Sequence, residues 1–190
     1  LGVGWRAPFT QTMRTDPDGN LRLVLEDGRN VVFRPDGAGG WQQPTEFAGK
    51  PVGSPPSSVE YPNGETWTFD ALGNLSAMSN WDGQAVSIAR VAQGPSVVTS
   101  TTGATLTFAY DASDRLSQIA ASDGRAVAYG YDPTSGFLAS VTGPDGAVTG
   151  YETNSVGQIT KLTGPTGVVV AENTYDEPGG RVIAQTNPEG

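Results

Sequence analysis

Carboxylates that directly follow an aromatic residue recur through this sequence. The pairs are Phe69-Asp70, Tyr110-Asp111, Tyr131-Asp132, Tyr151-Glu152 and Tyr175-Asp176. Two such acids in one cleft could act as general acid and general base, as paired carboxylates do in glycoside hydrolysis. Each acid also stands just before a predicted turn, where a carboxylate accepts hydrogen bonds from turn amides. We therefore favour a structural role for these acids over catalysis.

The aromatic residues of the same pairs offer a second chemistry. Tyr110, Tyr131, Tyr151 and Tyr175 could form an aromatic stripe that binds sugars. The alternative is that each ring packs on a sheet beside its neighbour in the adjacent repeat. We expect packing rather than sugar binding.

One oxygen-rich segment has the spacing of a cation loop. Asp16-x-Asp18-x-Asn20 places oxygen ligands at alternate positions, as some calcium loops do. It lacks the glycine and the downstream bidentate glutamate of an EF-hand, and a Pro-Asp-Gly-Asn hairpin turn explains the same residues. No cofactor and no metal site are predicted, with calcium as the single candidate.

Composition excludes several classes of function. The 190 residues include no His and no Cys, which excludes a Ser-His-Asp triad, thiol nucleophiles, disulfides and most zinc sites. A net charge of −9 argues against nucleic-acid binding, since phosphates would be repelled. No apolar run approaches the roughly 18 residues of a membrane span, so no membrane insertion is predicted. With 26 Gly and 14 Pro, long helices are not expected.

The elements that must position these residues repeat along the chain. Glycines that follow a small polar or acidic residue recur from Gly64 to Gly190 at intervals of 19, 20, 21, 22, 21 and 23 residues. Asn-Gly and Asp-Gly are strong hairpin signals and predict tight type I′ turns. Between the turns, segments such as 105–110 and 126–131 alternate large apolar with small or polar residues, which is typical of strands.

A second landmark has constant spacing. Six to eight residues after each aromatic comes an aliphatic residue, and the next turn glycine follows it by 8 residues in all five copies. Each repeat is therefore predicted to be strand, tight turn, strand and a wider turn that carries the aromatic-acid pair. The residues predicted to carry the repeat are Phe69, Asp70, Gly73, Leu75, Gly83, Tyr110, Asp111, Leu116, Gly124, Tyr131, Asp132, Gly136, Leu138, Gly146, Tyr151, Gly157, Ile159, Gly167, Tyr175, Asp176, Gly180 and Val182.

The spacing divides the chain into three parts. Residues 1–34 are predicted to form an atypical lead-in hairpin, and residues 35–58, rich in Pro, Gly and Ser, a loop or linker. Residues 59–190 form the hairpin array, in which the copy around 85–95 lacks its Tyr-Asp pair. Because Gly190 falls on the turn lattice, we expect the array to continue beyond the chain end.

The copy from Ser122 to Gly146 resembles the YD repeat of RHS (rearrangement hotspot) proteins, and the resemblance extends over residues 59–190. It implies an all-β fold of tandem antiparallel β-hairpins of about 21 residues. In that family the hairpins form one long curled sheet, part of a hollow shell, as in toxin-complex subunits, bacterial RHS toxins and teneurins. The family's self-cleavage motif has no match here, because Asp16-Pro17 and Asp132-Pro133 depart from it. No cleavage site is carried over.

The leading functional hypothesis is a non-catalytic scaffold, a segment of a secreted β-shell that encloses a C-terminal toxin or other cargo. Its partners would be the rest of its own longer chain and that cargo. The alternative is an extracellular structural or adhesive protein that forms a fibre, stalk or surface layer from neighbouring copies and binds cell-surface glycan or protein. Both place the protein outside the cell or on its surface. An enzyme such as a glycan hydrolase would need a deep pocket holding two carboxylates.

Overall fold

The computed structural model describes residues 9–176 and 180–187, and these residues form strands joined by short turns. The predicted turn glycine Gly190 lies outside them. The strands are β1 (Thr12–Thr15), β2 (Leu21–Val24), β3 (Asn30–Pro35), β4 (Trp41–Gln42), β5 (Lys50–Gly53), β6 (Pro56–Glu60), β7 (Thr66–Phe69), β8 (Leu75–Ser79), β9 (Ala85–Val91), β10 (Gly94–Ser100), β11 (Thr105–Tyr110), β12 (Leu116–Ala121), β13 (Ala126–Tyr131), β14 (Leu138–Thr142), β15 (Val148–Thr153), β16 (Ile159–Thr163), β17 (Val169–Tyr175) and β18 (Val182–Thr186). No described segment forms a helix that is long and apolar enough to cross a membrane.

The strands form two sheets in which spatial order follows chain order. β1 to β4 make a four-stranded sheet, and β5 to β18 make a 14-stranded sheet. The pairs between successive strands are antiparallel, for example Ser58 opposite Thr68 and Ala77 opposite Ser87. The predicted all-β array of tandem antiparallel hairpins is therefore confirmed, while the curling of the sheet stays a prediction.

Close contacts divide the chain into two compact units, with the division between Thr107 and Phe108. Within the first unit, part of the predicted loop at 35–58 is folded into strands, because it contains β4, β5 and the start of β6. Its prolines suit these places. Pro51 lies in β5, the end strand of the 14-stranded sheet, and Pro56 is the first residue of β6. Both are strand positions that tolerate a missing N–H.

The predicted type I′ geometry of the Asp-Gly turns is wrong. That geometry needs positive φ at both central residues. Here Gly28 N donates to Leu25 O (3.0 Å) and Leu25 N donates to Arg29 O (2.9 Å), which defines a three-residue loop. Gly28 has a φ of 84°, whereas Asp27 is not among the described residues with positive φ. The loop is a type I turn followed by one left-handed glycine.

The predicted wider turn differs from the tight turn by at most one residue. After Asp70 and Asp111 the loop has the same three residues, with Gly73 N donating to Asp70 O (2.9 Å). In the loop after Asp111, Asp114 occupies the glycine position with a φ of 59°, a conformation that aspartate tolerates better than most residues. After Asp132 the loop gains one residue, because Asp132 N donates to Phe137 O (2.9 Å). The turns after Asp70, Asp111 and Asp132 thus share the turn type of the Asp-Gly turns, with a single optional insertion.

The first unit has an apolar core built on alternation. Val59 pairs with Trp67, and Ile88 pairs with Val98, on one face of the large sheet. The opposite face carries a row of small and hydroxyl side chains that pair strand by strand: Ser58, Thr68, Ala77, Ser87, Thr99 and Thr105. The buried hydrophobic residues of this unit are Met13, Leu21, Leu23, Leu25, Phe33, Val59, Phe69, Leu75, Ile88 and Val98. The alternation of side chains along each strand therefore places apolar residues on one face of the sheet and small or hydroxyl residues on the other, as the sequence predicts.

A chain of aromatic rings joins the small sheet to the large one. Phe33 of β3 contacts Phe47 at 5.8 Å between ring centroids, Phe47 contacts Tyr61 at 5.6 Å, and Tyr61 contacts Trp67 at 5.1 Å. Burial, with a smaller effect of the nearby Glu65 carboxylate, raises the pKa of the Tyr61 phenol. Phe47 lies between β4 and β5, so the segment predicted to be a loop supplies a packing residue.

The edge strand β1 docks on the turn after β7. Met13 N donates to Gly73 O (2.8 Å), and Leu75 N donates to Gln11 O (3.0 Å). Arg14 adds hydrogen bonds to Leu72 O (3.1 Å) and to Asn74 Oδ1 (3.2 Å).

The close approach of the two chains at this point depends on a glycine. A Cβ at Gly73 would overlap the carbonyl oxygen of Met13. Gly73 therefore serves two purposes, positive φ in the turn and room for the neighbouring backbone.

The second unit relies on strand pairing more than on a core. Its buried hydrophobic residues, among those described, are Phe108, Leu116 and Leu138. Tyr129 pairs with Val141 and Tyr151 pairs with Leu162 on one face. The other face is lined by small residues such as Ala128 and Gly130, and an ion triplet continues it, in which Lys161 faces Glu152 (3.4 Å) and Glu172 (3.9 Å).

Replacing Gly73 tests the docking of β1. Gly73→Ala and the control Gly83→Ala both place alanine at positive φ, which costs about 1–2 kcal/mol. A Cβ at Gly83 would meet no atom within 4 Å, so nothing more is expected there. Gly73→Ala must also displace the Met13 carbonyl, which we expect to cost about 1–3 kcal/mol more. Urea unfolding followed by tryptophan fluorescence measures both, and equal losses would contradict the close approach.

Candidate functional site

The predicted repeat residues occupy four kinds of position. The aromatic residues Phe69, Tyr110, Tyr131 and Tyr175 end β7, β11, β13 and β17, while Tyr151 lies inside β15. The acids Asp70, Asp111, Asp132 and Asp176 begin the turns that follow. The glycines Gly73, Gly83, Gly124, Gly136, Gly146, Gly157, Gly167 and Gly180 have positive φ. The aliphatic residues Leu75, Leu116, Leu138, Ile159 and Val182 open β8, β12, β14, β16 and β18.

The acids that follow the aromatic residues bind the amides of their own turns. Oδ1 of Asp70 accepts from the N–H groups of Leu72 (2.9 Å) and Asn74 (2.8 Å). Oδ1 of Asp111 accepts in the same way from Ser113 and Arg115, each at 2.9 Å. A side-chain oxygen at the first turn position is thus held by the amides two and four residues later.

These hydrogen bonds set the direction of the pKa shifts. The backbone N–H of Arg115, then its side chain, holds the pKa of Asp111 below its usual value. Burial raises the pKa of Asp70, but hydrogen bonds from Asn74 and Leu72, with the charge of Arg90, outweigh it and leave the pKa lowered. A general acid at neutral pH needs a raised pKa, so these two carboxyl groups are tuned in the opposite direction.

In the Asp-Gly and Asn-Gly turns the accepting side chain is at the third turn position instead, directly before the glycine. Oδ1 of Asp27 accepts from Arg29 N (2.9 Å), and Oδ1 of Asn63 accepts from Glu65 N (3.0 Å). The same bond is made by Asp82, Asp123 and Asp145 to the amides of Gln84, Arg125 and Ala147. In these five turns the Asp or Asn before the glycine thus supports the turn.

Tyrosine hydroxyls close the gaps where neighbouring repeats separate. Pairing between β12 and β13 ends at Gln118 opposite Ala128, which leaves the Leu116 carbonyl beyond the ladder. Tyr131 Oη donates to this carbonyl at 2.7 Å. Tyr175 Oη donates to Ile159 O at 2.7 Å in the same arrangement two strand pairs later. We call this hydrogen bond the tyrosine clasp.

Longer side chains tie neighbouring turns together. The Arg115 guanidinium pairs with Asp111 (2.8 Å), donates to Gly136 O (3.2 Å) and lies 4.3 Å from the ring centre of Tyr131. Gln158 Nε2 donates to Gly180 O at 3.1 Å across the next pair of turns on this edge. Sequence reasoning missed both contacts, because neither residue belongs to the repeat pattern.

One cleft in the second unit brings two carboxylates to the same surface. It has a volume of about 380 Å³, and its lining includes Asp132, Tyr151 and Glu152. Hydrogen bonds from the Ser135 backbone and hydroxyl lower the pKa of Asp132, and Glu152 pairs with Lys161 at 3.4 Å. Asp132 is tuned against donating a proton and Glu152 is paired with a cation, so the cleft does not have the arrangement of a glycosidase acid and base.

The candidate calcium loop is a hairpin turn. Oδ1 of Asp16 accepts from the amides of Asp18 (3.1 Å) and Asn20 (2.9 Å), while Oδ2 accepts from Arg22 (3.2 Å). A cation at this place would have to displace the Arg22 guanidinium. Within residues 9–176 and 180–187, no group of three or more acidic side chains could hold a metal ion.

Acid should weaken the turns, and Asp132 provides a test. Its pKa is lowered in the folded chain, so its contribution is present above the unfolded value near 3.9 and is lost as pH falls through the folded value. Asn154 begins the three-residue form of this turn, in which its amide oxygen accepts from Gln158 N at 3.0 Å. We expect Asp132→Asn to unfold at nearly the wild-type urea concentration at pH 7 and Asp132→Ala at a lower one. The deficit of Asp132→Ala should shrink toward pH 3, and equal losses for both variants at pH 7 would contradict the turn role.

The tyrosine clasp is tested by removing one hydroxyl. Tyr131→Phe keeps the ring but loses the bond to Leu116 O, which should cost about 1 kcal/mol in urea unfolding. Tyr129→Phe is the control, since Tyr129 lies two residues earlier on the same face and its hydroxyl makes no hydrogen bond with another described residue. A loss as large for Tyr129→Phe as for Tyr131→Phe would mean that the clasp contributes nothing specific.

Solved structures with a similar fold include TcdB2-TccC3 complexes and a Tc holotoxin pore. The chain is similar to a chain of the TcdB2-TccC3-Cdc42 structure, with 15% identity, a TM-score of 0.51 and coverage of 93% of this chain and 11% of that chain. It is also similar to a chain of a mutant Photorhabdus luminescens Tc holotoxin pore, with 15% identity, a TM-score of 0.50 and coverage of 96% and 11%. TcdB2-TccC3 matches with 15% identity, a TM-score of 0.51 and coverage of 95% and 10%. The chain thus spans about a tenth of the length of these solved chains.

Sequence comparison identifies the family. No curated protein sequence matches the chain. The sequence profile of the teneurin YD-shell matches residues 57–186, which is more than half of the chain and includes most of the predicted array. The hairpin order, the turn acids and the tyrosine clasps lie within this matched stretch. The chain belongs to the teneurin YD-shell family.

Proposed function

We propose that this chain is a non-catalytic segment of the wall of a secreted, hollow β-shell that encloses a toxin or other cargo. The observation that carries the proposal is the 14-stranded sheet, in which each strand follows its neighbour along the chain. Such a sheet grows by adding hairpins, each of which needs only the preceding one. A wall of any length can be built in this way from one repeated unit.

The structure of the sheet suits a barrier. Neighbouring strands in a sheet lie about 4.8 Å apart, so no polypeptide passes between paired strands. At the strand ends, where pairing stops, Tyr131 and Tyr175 fill the gap and satisfy the carbonyls of Leu116 and Ile159. The turn carboxylates are occupied by turn amides rather than held ready for catalysis, which is consistent with a structural role.

The proposed cargo is inferred from the solved structures that have a similar fold. The similar solved structures are TcdB2-TccC3 complexes and a Tc holotoxin pore. By analogy, the polypeptide that contains this segment would enclose a toxin component. An open fibre, stalk or surface layer that binds glycan or protein is the alternative, since the same hairpins could extend without closing.

Electron microscopy of the complete native polypeptide decides between these functions. Hollow globular particles are expected in negative stain, because only a closed wall can contain a cargo. Filaments or rods would overturn containment and support the fibre alternative.

Limited proteolysis provides an independent readout on the same preparation. A cargo segment inside a closed wall should survive trypsin under native conditions and be cleaved after the wall is unfolded in urea. If trypsin cleaves every segment that does not belong to the wall at the same rate in both conditions, an enclosed cargo is contradicted.

A further inference from the structure

Arg90 occupies the position that tyrosine holds in other repeats. It is the sixth residue of β9, as Tyr131 is the sixth residue of β13. Leu75 opens β8 as Leu116 opens β12. Sequence reasoning found only that this copy lacks its Tyr-Asp pair.

The Arg90 guanidinium makes the same contact as the tyrosine clasp. Pairing between β8 and β9 ends at Ala77 opposite Ser87, which leaves the Leu75 carbonyl beyond the ladder. Nε and Nη2 of Arg90 both donate to this carbonyl, at 3.1 and 2.8 Å. The acceptor is equivalent to the Leu116 carbonyl that receives the Tyr131 hydroxyl.

Arg90 also reaches an acceptor that a tyrosine hydroxyl could not serve at the same time. Its Nη2 donates to the carbonyl oxygen of Phe9, 81 residues earlier in the chain. A phenol has one O–H to donate, whereas a guanidinium has five N–H groups in a fixed fork. Phe9 has a φ of 67°, a strained conformation for a bulky residue that needs fixed contacts to persist.

Phe9 leads directly into the docked strand of the small sheet. Two backbone hydrogen bonds hold that strand nearby, from Met13 N to Gly73 O (2.8 Å) and from Leu75 N to Gln11 O (3.0 Å). Leu75 thus accepts from Arg90 through its carbonyl and donates to the lead-in chain through its amide. The charge of Arg90 also acts on Asp70, the first residue of the turn on which β1 docks.

We propose that Arg90 is an anchor that fastens the lead-in sheet, β1 to β4, to the repeat array as its cap. Exchange of tyrosine for arginine at this one repeat keeps the clasp between strands and adds a second bond to the lead-in chain. The cap then covers apolar side chains at the beginning of the array, where Val59 and Leu75 are 0% exposed. β5 is the end strand of the 14-stranded sheet, and an end strand of a repeat array needs a cap because no further repeat packs on its outer side. This anchor does not depend on the function proposed above.

Hydrogen exchange of the 190-residue chain, measured by mass spectrometry on the wild type and three variants, tests the anchor. Arg90→Tyr restores the repeat's tyrosine, so the amides of β9 and those of β8 after Leu75 should keep their protection. The amides of Met13 and Leu75 form the two backbone hydrogen bonds between the lead-in chain and the array, to Gly73 O and Gln11 O. These two amides should exchange at least about tenfold faster. Arg90→Ala removes both bonds and should speed exchange in both regions. Arg125→Ala is the control and should change neither, since Arg125 pairs with Asp123 on an exposed turn.

Each outcome decides the proposal. Wild-type exchange at Met13 and Leu75 in Arg90→Tyr would overturn the anchor. Equal acceleration in both regions by Arg90→Tyr would also overturn it, because the tyrosine would then fail as a clasp at this repeat. If Arg90→Ala does not fold, Arg90→Lys replaces it. Its ammonium keeps the charge without the fork, so faster exchange at Met13 than in wild type supports the anchor, and unchanged exchange contradicts it.

Discussion

Backbone groups at the ends of paired strands must find hydrogen-bond partners, and the sheet is organised around this need. A ladder satisfies amides and carbonyls along its length but not where the strands separate. Where β12 separates from β13 and where β16 separates from β17, a side chain takes the place of the missing strand partner. Carboxylates take up turn amides, and the hydroxyls of Tyr131 and Tyr175 take up carbonyls. In the pair Tyr131-Asp132, the aromatic residue thus satisfies a carbonyl of the neighbouring strand, while the acid satisfies amides of the following turn.

The two compact units meet this need with different amounts of apolar support. In the first unit the lead-in sheet and the aromatic chain from Phe33 to Trp67 bury a continuous set of side chains. In the second unit, cross-strand pairs and links between turns, such as Arg115 to Gly136, carry more of the stability. A sheet whose stability comes from nearest neighbours tolerates extension, because each new hairpin brings its own contacts. A wall requires this capacity for extension. An active site instead requires groups that converge on one point.

The carboxylates and aromatic rings that suggested catalysis or sugar binding form hydrogen bonds within the fold at several positions. Asp111 and Asp132 are ionised acceptors at turns, and Tyr131 places its hydroxyl on a backbone carbonyl rather than toward solvent. Even the cleft with two carboxylates has Asp132 held by its turn and Glu152 paired with Lys161. The regular spacing that makes these residues conspicuous in the sequence is the spacing of a structural repeat.

The sequence by itself determined the strands, the antiparallel hairpin order, the positive-φ glycines and the alternation of large with small residues. These features depend on contacts within about five residues or between adjacent strands, so their spacing is visible in the sequence. Tertiary structure decided the strands within 35–58, the second role of Gly73 and the bond from Arg90 to Phe9. Each of these joins segments far apart in the chain, and no local pattern encodes which distant backbone will approach. A glycine that leaves room for another strand looks the same in sequence as a glycine that only turns the chain.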